Sequence, residues 1–247
     1  MTMRGLTIAE MLEHRGATMI AGGGDHRLAL SRRLLNAATW QNFPRFRALY
    51  PDIASAPTVE RVRGLFGPAA FQAGVDGGLF LPEPEGVPLS LLGRRWATGG
   101  WLEEFAYTAL IEAGADEAVY SQQLRWSGRY GPESYLNEID VLAREGERLV
   151  FVSAKAARPN AVETASGDDR LFQAMLELDY WRRHFGAPDD AAVLITTADF
   201  FEERKRVRHP GLTERAAILN VTLVPADASS ASSVVERMRR ALVAAGG

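Results

Sequence analysis

Apolar and polar residues alternate with a period of two through two neighbouring stretches, and the pattern predicts a pair of strands joined by a tight turn. From Leu136 to Ala143, the residues Leu136, Glu138, Asp140 and Leu142 fall on one face and Asn137, Ile139, Val141 and Ala143 on the other, because successive side chains of a strand point to opposite sides. Arg144 to Arg148 is polar, contains Gly146 and has the length of a hairpin loop. Alternation resumes from Leu149 to Lys155. Ser153 and Lys155 share one face there, and Val150, Val152 and Ala154 are predicted to form the opposite, core-packing face.

On either side the apolar spacing predicts further elements. Trp101, Leu102, Phe105, Ala109 and Leu110 suit an amphipathic helix, and Val119 to Trp126 a strand followed by a Ser127 to Pro132 loop. After a polar loop from Arg158 to Gly167, the residues Leu171, Met175, Leu178, Trp181 and Phe185 make the apolar stripe of a long helix that Gly186 and Pro188 end. Ala191 to Thr197 and Ile218 to Val224 read as short strands, and Ser232 to Ala245 as a closing helix. From residue 96 on, the predicted order is helix, three strands, helix, strand, helix, strand, helix. That is an α/β fold with a mixed central sheet flanked by helices.

Residues 1–95 are predicted to be a separate, mainly helical N-terminal region. Arg27 to Thr39 and Thr58 to Leu65 have helical spacing, and Pro82 to Pro88 reads as an extended connector. Gly22, Gly23 and Gly24 are not followed by lysine at phosphate-loop spacing, so a plain turn is expected.

Composition adds bounds. A chain of 247 residues with 47% hydrophobic content can bury a sizeable core. It has no cysteine, which excludes disulfides and thiolate metal sites. Arg4, Glu10, Glu13, His14 and Arg15 interrupt the start where a signal peptide would be apolar, and no run has membrane-spanning length, so a cytoplasmic protein without a membrane partner is expected. A net charge of −3 does not mark a nucleic-acid binder, so any such contact must come from local patches. Arg125, Arg129, Arg158, Arg204 and Lys205 are the candidate phosphate-binding residues. The histidines, His14, His26, His184 and His209, lack zinc-ligand spacing.

Three motifs give these elements chemical meaning: Gly99-Gly100-Trp101-Leu102-Glu103-Glu104, Asn137-Glu138-Ile139-Asp140 and Ser153-Ala154-Lys155. In this order and spacing, over about residues 96–225, they resemble the PD-(D/E)XK nuclease superfamily, and most of all the nuclease domain of the CRISPR ancillary effectors activated by cyclic oligoadenylates. In that domain the third motif is of Glu-Cys-Lys type, so Ser153 stands where the family has a catalytic glutamate. The resemblance implies a restriction-endonuclease-like core in residues 96–247, a divalent metal, Mg²⁺ or Mn²⁺, and DNA or RNA as the substrate. It also implies that the sensor is absent, since residues 1–95 are too few for the nucleotide-sensing and linker domains that precede the nuclease in those effectors. Activity would then be constitutive or governed by another subunit, and a homodimer or a regulatory partner subunit is the expected assembly.

Hydrolysis of a phosphodiester needs an activated water in line with the leaving oxygen and a cation that neutralises the phosphate. Asp140 is the candidate carboxylate ligand, the Ala154 carbonyl a second oxygen ligand, and Lys155 the cation that positions the water or stabilises developing charge. By resemblance Glu103 orients the water, with Glu104 as its nearest alternative. A serine at 153 supplies no charge, so a carboxylate from elsewhere is a natural replacement. Glu177 is the candidate, on a second helical stripe with Gln173, Tyr180 and His184; Glu138 and Glu163 are alternatives. Two classes are compatible with this sequence: a metal-dependent nuclease, and a catalytically silent module that keeps the fold to bind nucleic acid or protein.

Overall fold

The computed structural model describes residues 5–21, 49–52, 54–127, 134–157, 165–198, 209–226 and 231–244. Their elements run α1 (Ile8–His14), β1 (Ala17–Ala21), α2 (Val59–Phe66), α3 (Pro68–Asp76), α4 (Leu91–Arg95), a π turn (Trp96–Gly100), α5 (Trp101–Ala113), β2 (Glu117–Ser127), β3 (Ser134–Glu145), β4 (Arg148–Lys155), α6 (Ala165–Phe185), β5 (Ala191–Thr196), α7 (Pro210–Ile218), β6 (Val221–Pro225) and α8 (Ala231–Ala244). By their contacts they form two compact units, one of Met1–Gly23 with Ala106–Gly247 and one of Gly24–Phe105. The helix expected at Arg27 to Thr39 and the glycines at 22–24 lie outside the described residues.

The first unit is built on a mixed sheet, six-stranded among the described residues, in the order β1-β2-β3-β4-β5-β6. Pairing is antiparallel from β1 to β4 and parallel from β4 to β6. The fold is α/β, and from α5 onward the element order is the one the hydrophobic pattern predicts. The sheet also contains β1, which the pattern did not announce, because five residues at an edge carry too little periodicity to read.

The N-terminal helix is capped locally at its start and tied to the rest of the unit at its end. Thr7 and Glu10 form a capping box, Thr7 Oγ1 accepting from the Glu10 N–H at 3.3 Å and Glu10 Oε2 from the Thr7 N–H at 2.7 Å. At its other end Arg15 donates to the Phe185 carbonyl at 3.1 Å and to Asp190 Oδ2. Asp190 is buried and accepts two backbone N–H groups as well, from Leu149 and Ala187, each at 2.8 Å. One carboxylate thus joins α1, the start of β4 and the turn between α6 and β5.

The expectation that β4 has a single core-packing face is corrected by the structure. Leu149 and Phe151, on the face of Ser153 and Lys155, are as deeply buried as Val150 and Val152. Leu149, Phe151, Ala192 and Leu194 form one core cluster with Leu171, Met175, Leu178 and Trp181 of α6. A strand flanked by an antiparallel and a parallel neighbour lies inside the sheet, where both faces are covered.

The second unit has its own apolar centre. Phe80 lies against Phe66 and Phe71, with ring centroids 5.6 and 5.7 Å apart. The Tyr50 hydroxyl donates to the Val87 carbonyl at 2.8 Å, and burial pushes its pKa above the usual tyrosine range. Pro82 to Pro88 is a tight reversal rather than an extended connector: Phe80 is bridged to Leu89 and Glu83 to Gly86. Gly86 makes the turn possible, since a Cβ there would meet the Ala56 carbonyl oxygen at 2.4 Å.

Candidate functional site

Asp140 sits where the sheet opens. The β3–β4 ladder runs from Glu145↔Arg148 to Val141↔Val152 and stops there, whereas β4 keeps pairing with β5 as far as Lys155↔Thr196. Beyond Val152 the β3 edge of β4 is therefore without its ladder partner, and the Asp140 side chain takes that place. Its Oδ2 accepts from the Ala154 N–H at 2.7 Å, from Ser153 Oγ at 2.9 Å and from Lys155 Nζ at 2.8 Å. Among the described residues no donor reaches Oδ1. The Asp140 and Lys155 side chains are 17% and 22% exposed, so the pair lies in the wall of the sheet but in reach of a ligand.

The β2–β3 ladder is irregular beside this carboxylate. Tyr120 pairs with Val141 and Gln122 with Ile139, so Ser121 falls opposite Asp140 between them, and Ser121 has a φ of 49°. Non-glycine residues seldom adopt this conformation within a strand. Strict alternation then fails along β3: Ile139 and Leu142, predicted on opposite faces, both pack in the cluster that includes α6.

The end of β4 is clamped from β5. Thr196 is fully buried, and its Oγ1 donates to the Lys155 carbonyl at 2.7 Å. Thr197 Oγ1 donates to the Ala157 carbonyl at 2.6 Å and accepts from the Ala157 N–H at 2.8 Å. These bonds fix the backbone from which the Lys155 ammonium extends. Sequence reading gave them no part, because two threonines at a strand end look like ordinary strand formers.

The remaining predicted residues divide by place. Glu177 is half-buried on α6, and its Oε1 accepts from Asn137 Nδ2 of β3 at 3.0 Å, so helix and strand meet there. Gln173, Tyr180 and His184 are exposed on the same helix. Arg125 is exposed on β2. Glu103 is half-buried and Glu104 buried on the first turn of α5, within the unit of residues 24–105. Arg129, Arg158, Glu163, Arg204, Lys205 and His26 lie outside the described residues. Among the described residues no group of three or more His, Asp or Glu side chains is arranged to hold a metal ion.

No protein-family model and no curated protein matches the chain. Among solved structures it is similar to protein VC1899 of Vibrio cholerae, at 19% sequence identity and a TM-score of 0.60, over 98% of this chain and 63% of that one. It is also similar to Can2 of Sulfobacillus thermosulfidooxidans, solved in complex with cyclic tetra-adenylate, at 15% identity and a TM-score of 0.58, over 96% of this chain and 61% of that one. The chain thus spans a little over three-fifths of the length of each. At these identities the likeness establishes a shared fold. No described helix is long and apolar enough to cross a membrane.

Proposed function

We propose that this chain is a divalent-metal-dependent nuclease of PD-(D/E)XK type, with residues 96–247 as the nuclease-like domain, acting on phosphodiester bonds of DNA or RNA in defence against mobile elements. The observation that carries this reading is the Asp140 carboxylate at the opening of the β3–β4 ladder, bound on one oxygen by Lys155 and open on the other. The motif order supports it, as does the likeness to a structure solved with a cyclic oligoadenylate.

The residues present fit Mg²⁺ or Mn²⁺ in a sparse form. Asp140 Oδ1 would be the charged ligand. The Ala154 carbonyl would be the second, because the N–H and C=O of one strand residue leave the same edge, and the Ala154 N–H points to Asp140. Mg²⁺ is ordinarily held by one or two carboxylates, with waters and substrate phosphates completing its shell. A bound cation supplies neutralisation of the phosphate and acidifies the attacking water. Lys155 donates to the Asp140 carboxylate at 2.8 Å and presents a positive charge beside it. Ser153 donates to that carboxylate and adds no charge of its own.

The test is cleavage of supercoiled DNA, single-stranded DNA and RNA with Mg²⁺ or Mn²⁺, read beside Mn²⁺-dependent thermal shifts. Ser153→Glu is expected to restore the missing charge, raising both the thermal shift and the cleavage rate. If Glu177 has taken the role of the strand glutamate, Ser153→Glu adds nothing and Glu177→Gln abolishes cleavage. No cleavage and no Mn²⁺ shift in the native protein and in both variants would leave a silent binding module as the function.

Cyclic tetra-adenylate is expected not to bind residues 1–247 by themselves. Calorimetry with tight binding would place a sensor in residues 1–95.

A further inference from the structure

A second feature lies further along β3. Tyr135 is 49% exposed, with one ring face against Trp126 at 5.8 Å between centroids and 26° between planes. Tyr180, 45% exposed, stacks with exposed His184 at 5.3 Å and 11°. Trp126 connects the two pairs, lying 6.5 Å from the rings of both Tyr180 and His184. Its own position is fixed from beneath by edge-on contacts with buried Trp181 and Phe185, at 5.2 and 5.4 Å. The exposed rings therefore rest on the core.

We infer that Trp126, Tyr135, Tyr180 and His184 form a platform on which unpaired bases of a nucleic acid stack, near the end of β3, the strand that carries Asp140. This rests on the proposed nucleic-acid function. Aromatic faces bind bases by stacking, which is tolerant of sequence because every base has a π face. The placement suits one continuous strand. Tyr135 precedes Asp140 by about 17 Å of extended chain, a span of roughly five nucleotides at the stacked rise per strand. Between them Asn137 of β3 donates to Glu177 of α6 at 3.0 Å.

Charge is also compatible. Arg183, with a side chain 70% exposed, follows Tyr180 by one helical turn. The nearby acids are already bound: Asp179 accepts from Arg183 at 2.8 Å and from Arg182 at 3.1 Å, and Glu177 from Asn137. Burial raises the Asp179 pKa, but the hydrogen bonds from Arg183 and Arg182 outweigh it and hold the carboxyl below its usual range. Leu176, exposed on the same helix, makes a second copy of the chain the rival occupant.

Fluorescence anisotropy separates these cases, using a labelled oligothymidylate of roughly 16 nucleotides and its duplex, with a chelator present so that nothing is cut. Tyr135→Ala and Tyr180→Ala are each expected to weaken single-strand binding at least about fivefold. Duplex binding should change little, and Tyr135→Phe and Tyr180→Phe should bind as native. Native binding that both alanine variants retain overturns the platform alone and leaves the nuclease reading standing. If the alanine variants bind normally but lose self-association in sedimentation, the surface belongs to a second copy. A native protein that binds neither probe defeats the platform and the nucleic-acid function together.

Discussion

Asp140→Asn and Lys155→Ala are each expected to lower metal-dependent cleavage by at least about a hundredfold, the loss seen when one preorganised stabilising group is removed from an active site. The two changes act by different routes. Asparagine has the shape of aspartate and can still accept from the Ala154 N–H, but it brings no charge and turns an amide nitrogen toward one of the two oxygen positions. The β3–β4 opening should keep its geometry while affinity for the cation falls. Alanine at 155 removes the ammonium 2.8 Å from Asp140 and leaves the carboxylate with the Ala154 N–H and the Ser153 hydroxyl as its donors. Metal affinity should then stay or rise while turnover drops. Thermal shifts with Mn²⁺ measured beside cleavage rates read the two effects separately. Native-rate cleavage by either folded variant removes Asp140 and Lys155 from the site.

The second large effect is on stability. Asp190→Ala is expected to destabilise the protein by about 3–5 kcal/mol, the usual cost of removing one partner of a buried ion pair. Without this carboxylate the Arg15 guanidinium and the Leu149 and Ala187 N–H groups all lose an acceptor in the interior. Arg15→Met in the same chain should recover part of the loss, because it removes the uncompensated charge. Urea denaturation measures both. A change below about 1 kcal/mol for Asp190→Ala would mean that the cluster behaves like a surface pair.

Much of this was legible in the sequence, for reasons that particular residues make plain. The stripe from Leu171 to Phe185 repeats over enough turns to define α6, and Val119 to Trp126 and Leu149 to Lys155 alternate long enough to define strands. Asp140, Ser153, Ala154 and Lys155 come together because two adjacent strands meet in register, which a short hairpin nearly dictates. What stayed hidden depends on the rest of the sheet. The second buried face of β4 exists because β5 and α6 come from later in the chain. The break of alternation near Asp140 depends on Ser121, one φ value that no residue type announces. The stacked rings of Tyr135 and Tyr180 are brought near each other by the Trp126 contacts, across three elements.

The pairing of Ala17 with Trp126 joins strands whose connecting chain includes the whole of the second unit. Closing a loop of roughly a hundred residues sounds prohibitive, yet its entropy grows only with the logarithm of length, about 0.6 kcal/mol for each doubling. The sheet thus sets few conditions on what lies between β1 and β2. A lineage can lengthen, shorten or exchange that interposed segment at small cost to the sheet, as long as its two ends return to the same edge. The open carboxylate of Asp140 and the module between those strands are free to evolve at different rates.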